Sequence, residues 1–385
     1  MSGAMKESVA ILYGAHVSTY FRGEFPYEED MLPDRGDIQR QLGEYGLGLS
    51  IAVARFRPSG ENELPQIRVW DNPVFDREGS LVGGELSRGE LADYPVVYDR
   101  WIDNFHGGVL SGDTTSERNA FGIGLPADRI FNYRTVQNLG NNKRATDKIL
   151  REAGVAIPTY AANNLEEIEA GEGTKSPLVY KPNTSARGVG VVRYADIDSY
   201  RRALAAGDVD PSGNVQRGLD VHAPIPDLVG DTQRDKELLR RYNNDASELR
   251  PRELRMHAVA GTDREGRLKI EAFPVLKIGK PGRDTLENDF VIGIDPSCVP
   301  EGSAMHDGTV DVMRRSLGAA NTGATPDQKA TQLYACADWL QDAHGRPLVV
   351  DANYRSPGLS TKARSARGAL LRTWAHQTMQ ILDRN

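Results

Sequence analysis

The stretch Leu333–Asn353, LYACADWLQDAHGRPLVVDAN, decides how this chain is read. Two apolar runs, Leu333–Leu340 and Leu348–Val350, flank a polar segment with a glycine, and this pattern predicts a β-hairpin. With His344 and Gly345 at the centre of the turn, Asp338 lies directly across from Asp351 and both carboxylates share one face. Like charges opposed across a strand pair repel, and Asp351 emerges from the apolar run Leu348, Val349, Val350, where desolvation adds to the cost. A positive species between the two acids would resolve the conflict. Asn353 points to the same face and adds an amide oxygen. The set Asp338, Asp351, Asn353 is then acceptor-only and suits Mg²⁺, with Mn²⁺ as a substitute, completed by phosphate oxygens and water. The plainer alternative is two solvated acids on an edge strand in another register.

Upstream of the hairpin, Leu254–Ala260 and Leu268–Leu276 read as a strand pair, followed by a long loop over Gly279–Asn321; downstream, Ser365–Leu382 reads as a helix. Pro177–Lys181 is a short buried-type strand in which Lys181 shares a face with Val179, so its ammonium needs a partner. The loop Asn183–Gly190 that follows (Asn-Thr-Ser-Ala-Arg-Gly-Val-Gly) carries backbone N–H groups that can line a phosphate, with Arg187 adding charge; an ordinary hairpin loop accounts for it equally well. Farther upstream, Asn142 as N-cap, the stripe Ala145, Ile149, Leu150, Ala153 and the stop at Gly154 predict a helix. Lys143 sits in its first turn, where the helix dipole disfavours a cation by about 1 kcal/mol or less. An anion there would compensate, although taken alone the residue reads as an exposed lysine. Pro211–Arg252 is rich in Pro, Gly and charge, and Asp235–Arg241 inside it reads as a solvated helix in an insertion. In the first third, apolar runs at Val9–Tyr13, Leu49–Ala54 and Tyr94–Tyr98 predict a small α/β domain, and Tyr98, Asp99 and Arg100 stand at a strand end where an ion pair or a substrate contact fits.

Composition narrows the classes. A chain of 385 residues, 39% hydrophobic, is long enough for two or three domains. A net charge of −7 offers no basic field for nucleic acid. Met1–Ser8 lacks the apolar run of a signal peptide, and no stretch approaches the roughly 20 apolar residues that span a bilayer, so a cytoplasmic protein without membrane partners is expected. Cys298 and Cys336 are too few for a disulfide framework or thiolate zinc site. No GxxxxGK[ST] run occurs, and the GxGxxA match at Gly122, Gly124 and Ala127 contains Pro126 and follows no clear strand.

The ordered set of motifs between about residues 135 and 360 resembles the ATP-grasp superfamily, in the branch of glutathione synthetase, D-alanine-D-alanine ligase and ribosomal-protein glutamate ligases. Asn141, Asn142 and Lys143, with Leu150, Gly154, Ile157 and Pro158, look like that family's "NDK...L...GIPVP" segment, and Pro177–Pro182 looks like "PVVVKP". The resemblance implies that Lys143 and Lys181 hold ATP phosphates and that Ser185, Arg187, Gly188 and Gly190 belong to a mobile glycine-rich lid. Val221–Pro226 resembles the hinge receiving adenine, through His222, Ala223 and Ile225, without the acidic residue usual there. Glu253, Leu254 and Arg255 lie like the family's "DxR" strand start, which implies Arg255 near the γ-phosphate and acyl phosphate; Lys277 and Asn288 fall where relatives place catalytic-loop residues. Asp338, Asp351 and Asn353 resemble the magnesium set "D...E-x-N", with aspartate in place of glutamate at 351, and Ser356, Pro357, Gly358 resemble the "SPG" that follows.

What this implies is an α/β (α+β) ATP-grasp fold: a preceding α/β domain over residues 1–134, then an ATP-grasp domain over 135–385 with a lid subdomain at about 141–215 and a catalytic subdomain at about 216–385. The implied activity is an ATP-dependent carboxylate-amine ligase working through an acyl phosphate on an amino acid or small peptide. Capture of the acyl group by a thiol, and a catalytically silent ATP-binding regulator, are the alternatives. Homodimers are common among such ligases, and no interface is legible in the sequence.

Overall fold

The computed structural model describes residues 6–15, 35–55, 67–75, 81–87, 91–99, 125, 127–141, 143–182, 190–222, 228–244, 250–263, 265–283, 285–286, 288–354 and 363–383. Val9, Ala10, Ile11 and Leu12 are apolar without alternation, and all four are buried, as a strand covered on both faces requires. This strand, β1 (Ser8–Ala15), runs parallel to β2 (Gly48–Arg55) on one side and β5 (Val96–Asp99) on the other. Antiparallel β3 (Ile67–Phe75) and β4 (Leu81–Ser87) extend the β2 edge, and β6 (Ile130–Phe131) extends the β5 edge, giving the order β4-β3-β2-β1-β5-β6. Helix α1 (Arg35–Gly43) buries Ile38 and Leu42 against this sheet.

Helices α2 (Arg134–Asn141) and α3 (Lys143–Glu152) follow. The second is the helix expected from the Ala145–Ala153 stripe, and Gly154 ends it at φ +71°, a left-handed conformation that glycine adopts without cost. The N-cap reading at Asn142 lies outside the described residues. A four-stranded antiparallel sheet comes next, with β7 (Thr159–Ala161), β8 (Leu178–Lys181), β9 (Val192–Tyr194) and β10 (Asn214–Arg217) in the order β7-β10-β8-β9. Helices α4 (Leu165–Glu172) and α5 (Ile197–Ala206) close its core around Ile168, Tyr180, Tyr200 and Val215.

The hairpin belongs to a third sheet. Strands β11 (Arg252–Thr262), β12 (Leu268–Gly279), β13 (Asn288–Gly293), β14 (Leu333–Gln341) and β15 (Pro347–Asn353) pair antiparallel in the order β13-β12-β11-β14-β15. Two sequence expectations change here. The segment expected as a loop over Gly279–Asn321 contains β13 and the 17-residue helix α7 (Ala304–Ala320). Its buried positions, including Thr309, Val312, Met313, Ser316 and Leu317, have helical spacing, but His306, Thr309 and Ser316 on that face disguise the apolar stripe. The helix expected at Asp235–Arg241 spans Gln233–Asn244, here α6, and it is packed rather than merely solvated: Leu239 joins Ile278, Ile292 and Ile294 in a small core.

Helix α8 (Arg364–Leu382) joins the third sheet to the first. Trp374 is fully buried, its ring 5.1 Å from Tyr98 and 6.0 Å from Phe131. Tyr98 is thus a core residue at this seam, while the side chains of Asp99 and Arg100 lie outside the described residues. Trp374→Ala should destabilise the chain by about 3–5 kcal/mol through the cavity it opens, measurable as a lowered urea midpoint. Among the described residues no helix is long and apolar enough to cross a membrane.

Candidate active site

Strand alternation divides the third sheet into two faces. Met256, Ala258, Ala337 and Trp339 point to one side and form a core with Val312, Met313 and Leu317 of α7. The opposite face carries Glu253, Arg255 and His257 of β11, Lys277 of β12, and Asp338 of β14, brought level by the pairs Glu253–Lys277, Arg255–Asp338 and Asp338–Asp351. Toward α8 this second face turns apolar through Val259, Val275 and Tyr334. The charged end is therefore a polar floor bounded by a hydrophobic seam.

Asp338 is the hub. Arg255 donates to it bidentately, Nε to Oδ1 at 2.7 Å and Nη2 to Oδ2 at 2.7 Å, and Lys277 Nζ reaches Oδ2 at 3.2 Å while also pairing with Glu253. Asp338, Lys277 and Glu253 are each under 10% exposed. Burial alone would raise the Asp338 pKa, but Arg255 and Lys277 outweigh it and hold the carboxyl well below the usual range. The positive charge that the opposed acids demand thus comes first from side chains.

Lys181 enters this face from the other sheet. Its Nζ donates to the Val350 carbonyl at 2.7 Å. Burial pushes the ammonium pKa down, Asp351 and Asp338 pull it back, and Lys277 repels it. The expected partner exists, and it is a backbone oxygen rather than a carboxylate. Its availability follows from the hairpin's geometry. The turn spans Asp342–Arg346 with Gly345 at φ +76°, so the strands near it pair as Trp339–Val349, one residue away from the register that a His344–Gly345 centre implies. A β-bulge at Val350 then shifts the register back to Asp338–Asp351. The expected opposition of the acids is present, but through two offsetting departures from a regular hairpin.

Below Arg255 lie His257, Tyr334 and Cys336, all buried. The Tyr334 hydroxyl and His257 Nδ1 are 2.8 Å apart, with the rings stacked at 5.7 Å. Burial and the adjacent Arg255 charge lower the His257 pKa to about 3, so the imidazole is neutral. A group with a depressed native pKa contributes stability that is complete above its unfolded value, about 6.5, and is lost as pH falls toward about 3. Unfolding free energy should decline over that window by up to ~1.4 kcal/mol per pH unit from this residue, and urea melts of His257→Gln should lack that component. Burial pushes the Cys336 thiol up to about 12, so it is a packed thiol and not a nucleophile.

The structure thus gathers Lys181, Arg255, Lys277, Asp338 and Asp351. Asn353 sits two residues beyond Asp351, across from Cys336. His222 Nε2 lies 3.1 Å from the Arg283 carbonyl and its N–H is bonded to Asp220, while the Val221 carbonyl before it accepts from the Arg252 N–H at 2.9 Å, next to Glu253. Gly190 is left-handed at φ +74°, and a Cβ there would meet Pro182 Cγ at 2.9 Å. Lys143 begins α3 and Asn288 begins β13 opposite Gly279, but their side chains, and Ser185, Arg187, Gly188, Ala223 and Ile225, lie outside the described residues. Sequence reasoning named Glu253 only as the opening position of the strand start and missed His257 and Val350. His257 was available from period-two spacing around Arg255; Val350 needed the bulge.

Among the described residues no group of three or more His, Cys, Asp or Glu side chains converges to hold a metal. The donor set Asp338, Asp351 and Asn353 nevertheless fits a hard dication as a partial shell: all are oxygen donors, Asp351 is exposed, and ligand oxygens and water would complete the coordination.

No model of a known protein family and no curated protein sequence matches the chain. Solved structures do. D-alanyl-alanine synthetase A from Vibrio cholerae O1 biovar eltor is 13% identical, with 99% of this chain and 100% of that one covered at a TM-score of 0.50. The D-alanine-D-alanine ligase from Coxiella burnetii is 11% identical over 98% and 96% of the two chains, at 0.47. A D-Ala:D-Ser ligase from Enterococcus faecalis is 12% identical over 98% and 100%, also at 0.47. At such identities it is the likeness across the whole length of the Vibrio protein that speaks, and it speaks of architecture: an α/β chain with the ATP-grasp fold, its sheets preceded by a small α/β unit.

Proposed function

We propose that this chain is an ATP-dependent, ADP-forming ligase that joins a carboxylate to an amine, with an amino acid or small peptide as substrate. The observation that carries the reading is the convergence of Lys181, Arg255 and Lys277 on Asp338 and Asp351 at one sheet face. A lysine delivered to this face from a second sheet adds the positive charge that phosphate oxygens would meet there.

A carboxylate is a poor acyl donor because its leaving group would be oxide; taking the γ-phosphoryl of ATP replaces that leaving group with phosphate. Lys181 would hold phosphate oxygens, with Lys143 and the 183–190 loop in the same role. Asp338, Asp351 and Asn353 would hold Mg²⁺, which supplies neutralisation of phosphate charge when bound. Arg255, fixed by both Asp338 oxygens, would direct the rest of its N–H fork at the oxyanion formed when the amine attacks. Lys277 and Asn288 would flank that centre, and the unit around 141–215 would exclude water from the acyl phosphate.

An amino-acid panel with Mg²⁺ and ATP should give amino-acid-dependent ADP, and the product mass should show an amide. Absence of ADP formation across acids, amines and thiols would leave a nucleotide-binding regulator; a thioester mass would move the acceptor from amine to thiol.

A further inference from the structure

We propose that the β-bulge at Val350 is a positioning device for the reaction inferred above: its displaced carbonyl holds the Lys181 ammonium beside Asp338 and Asp351 before nucleotide arrives. The proposal rests on the nucleotide-binding reading of this face and concerns a backbone group to which that reading gives no role.

The two strands of the hairpin pair as Asp338–Asp351 and Trp339–Val349, so Val350 is an extra residue with no counterpart on β14. A backbone carbonyl released from the ladder requires another donor. Lys181 Nζ supplies it at 2.7 Å, from a residue 169 positions away in the chain. The same segment anchors the neighbouring sheet by its root, because Val349 N–H donates to the Val155 carbonyl at 2.9 Å and Ala156 bridges to Val349 in parallel. Two consecutive residues of β15 therefore fix both where the 159–217 unit begins and where its lysine ends. The long, rotamer-rich side chain of Lys181 would otherwise have to be ordered by the nucleotide itself, which weakens binding. In an unbulged hairpin residue 350 would be absent from this position, and with it the carbonyl that Lys181 meets.

Deleting Val350 is a conservative test. Asp351 would then follow Val349 directly, and both existing pairs, with their side-chain faces, would survive in an unbulged hairpin. Val350→Ala is the control, since it removes side-chain packing against Ile157, Leu219 and Leu348 but keeps the carbonyl. The readout is ADP affinity in a double-mutant cycle with Lys181→Met. The deletion is expected to weaken ADP binding at least tenfold, Val350→Ala less than threefold, and Lys181→Met should cost little more once Val350 is gone. Additive losses, or a deletion no worse than Val350→Ala, would overturn the proposal. A nucleotide-free arm covers a deletion variant that does not fold: Lys181→Met should speed amide hydrogen exchange across Pro347–Asn353 in the full chain, and unchanged exchange there refutes the contact. If the wild type binds no nucleotide at all, the functional reading falls, while the exchange arm still judges whether the bulge holds the lysine.

Discussion

Asp338→Ala is expected to lower the unfolding free energy by about 3–5 kcal/mol, the usual consequence of removing one partner from a buried charge pair. The variant leaves Arg255 without the carboxylate that accepts from both Nε and Nη2, and leaves Lys277 with Glu253 alone. The cost arises from the orphaned guanidinium more than from the lost attraction, because its desolvation remains after its counter-charge is gone. Asp338→Asn keeps shape and one acceptor, and should fall between alanine and the wild type. Urea unfolding at neutral pH measures all three. The pH dependence has a definite sign: the Asp338 carboxyl is depressed in the native state, so its contribution is complete above its unfolded pKa of about 3.9 and is lost as pH falls toward the native value. A loss under about 1 kcal/mol in Asp338→Ala would show the pair to be screened like a surface ion pair.

Arg255→Ala should lower ligation turnover by about 10²–10³-fold, the effect of removing one well-placed oxyanion donor, with ADP affinity changed far less. Arg255→Lys separates chemistry from folding. It keeps the positive charge opposite Asp338 but loses the planar fork that makes the bidentate contact, so it should recover much of the stability and little of the turnover. Single-turnover measurement at saturating nucleotide distinguishes the two effects. Ligation in either variant within threefold of wild type would remove Arg255 from the reaction centre. The contrast with Asp338 is physical: Arg255 is expected to act on the substrate, whereas Asp338 holds Arg255 in place and would share in holding the metal.

Much of this architecture was legible in advance because the relevant signals are local. The apolar runs of β1, β2 and β5, the stripe and glycine stop of α3, and the β11–β12 pair depend on residues a few positions apart. The helix α7 was not legible because His306, Thr309 and Ser316 occupy buried positions where a helix stripe should be apolar. Thr309 and Ser316 use their hydroxyls on the helix's own carbonyls, and Thr309 also accepts from Trp339 Nε1 at 3.0 Å. A polar side chain satisfied inside a core looks, in sequence, like one facing water.

The sequence by itself determined a hairpin carrying Asp338 and Asp351 on its two strands, that Lys181 needs a partner, and that Arg255 shares a strand face with its neighbours two residues away; these follow from strand periodicity and the cost of burying charge. Only the tertiary structure decided who satisfies whom. Arg255 and Lys277 meet Asp338 because β11 lies between β12 and β14, and Lys181 finds a carbonyl because a bulge leaves one unpaired. Strand order and a single extra residue are set by packing across the whole chain, which no window of local sequence contains.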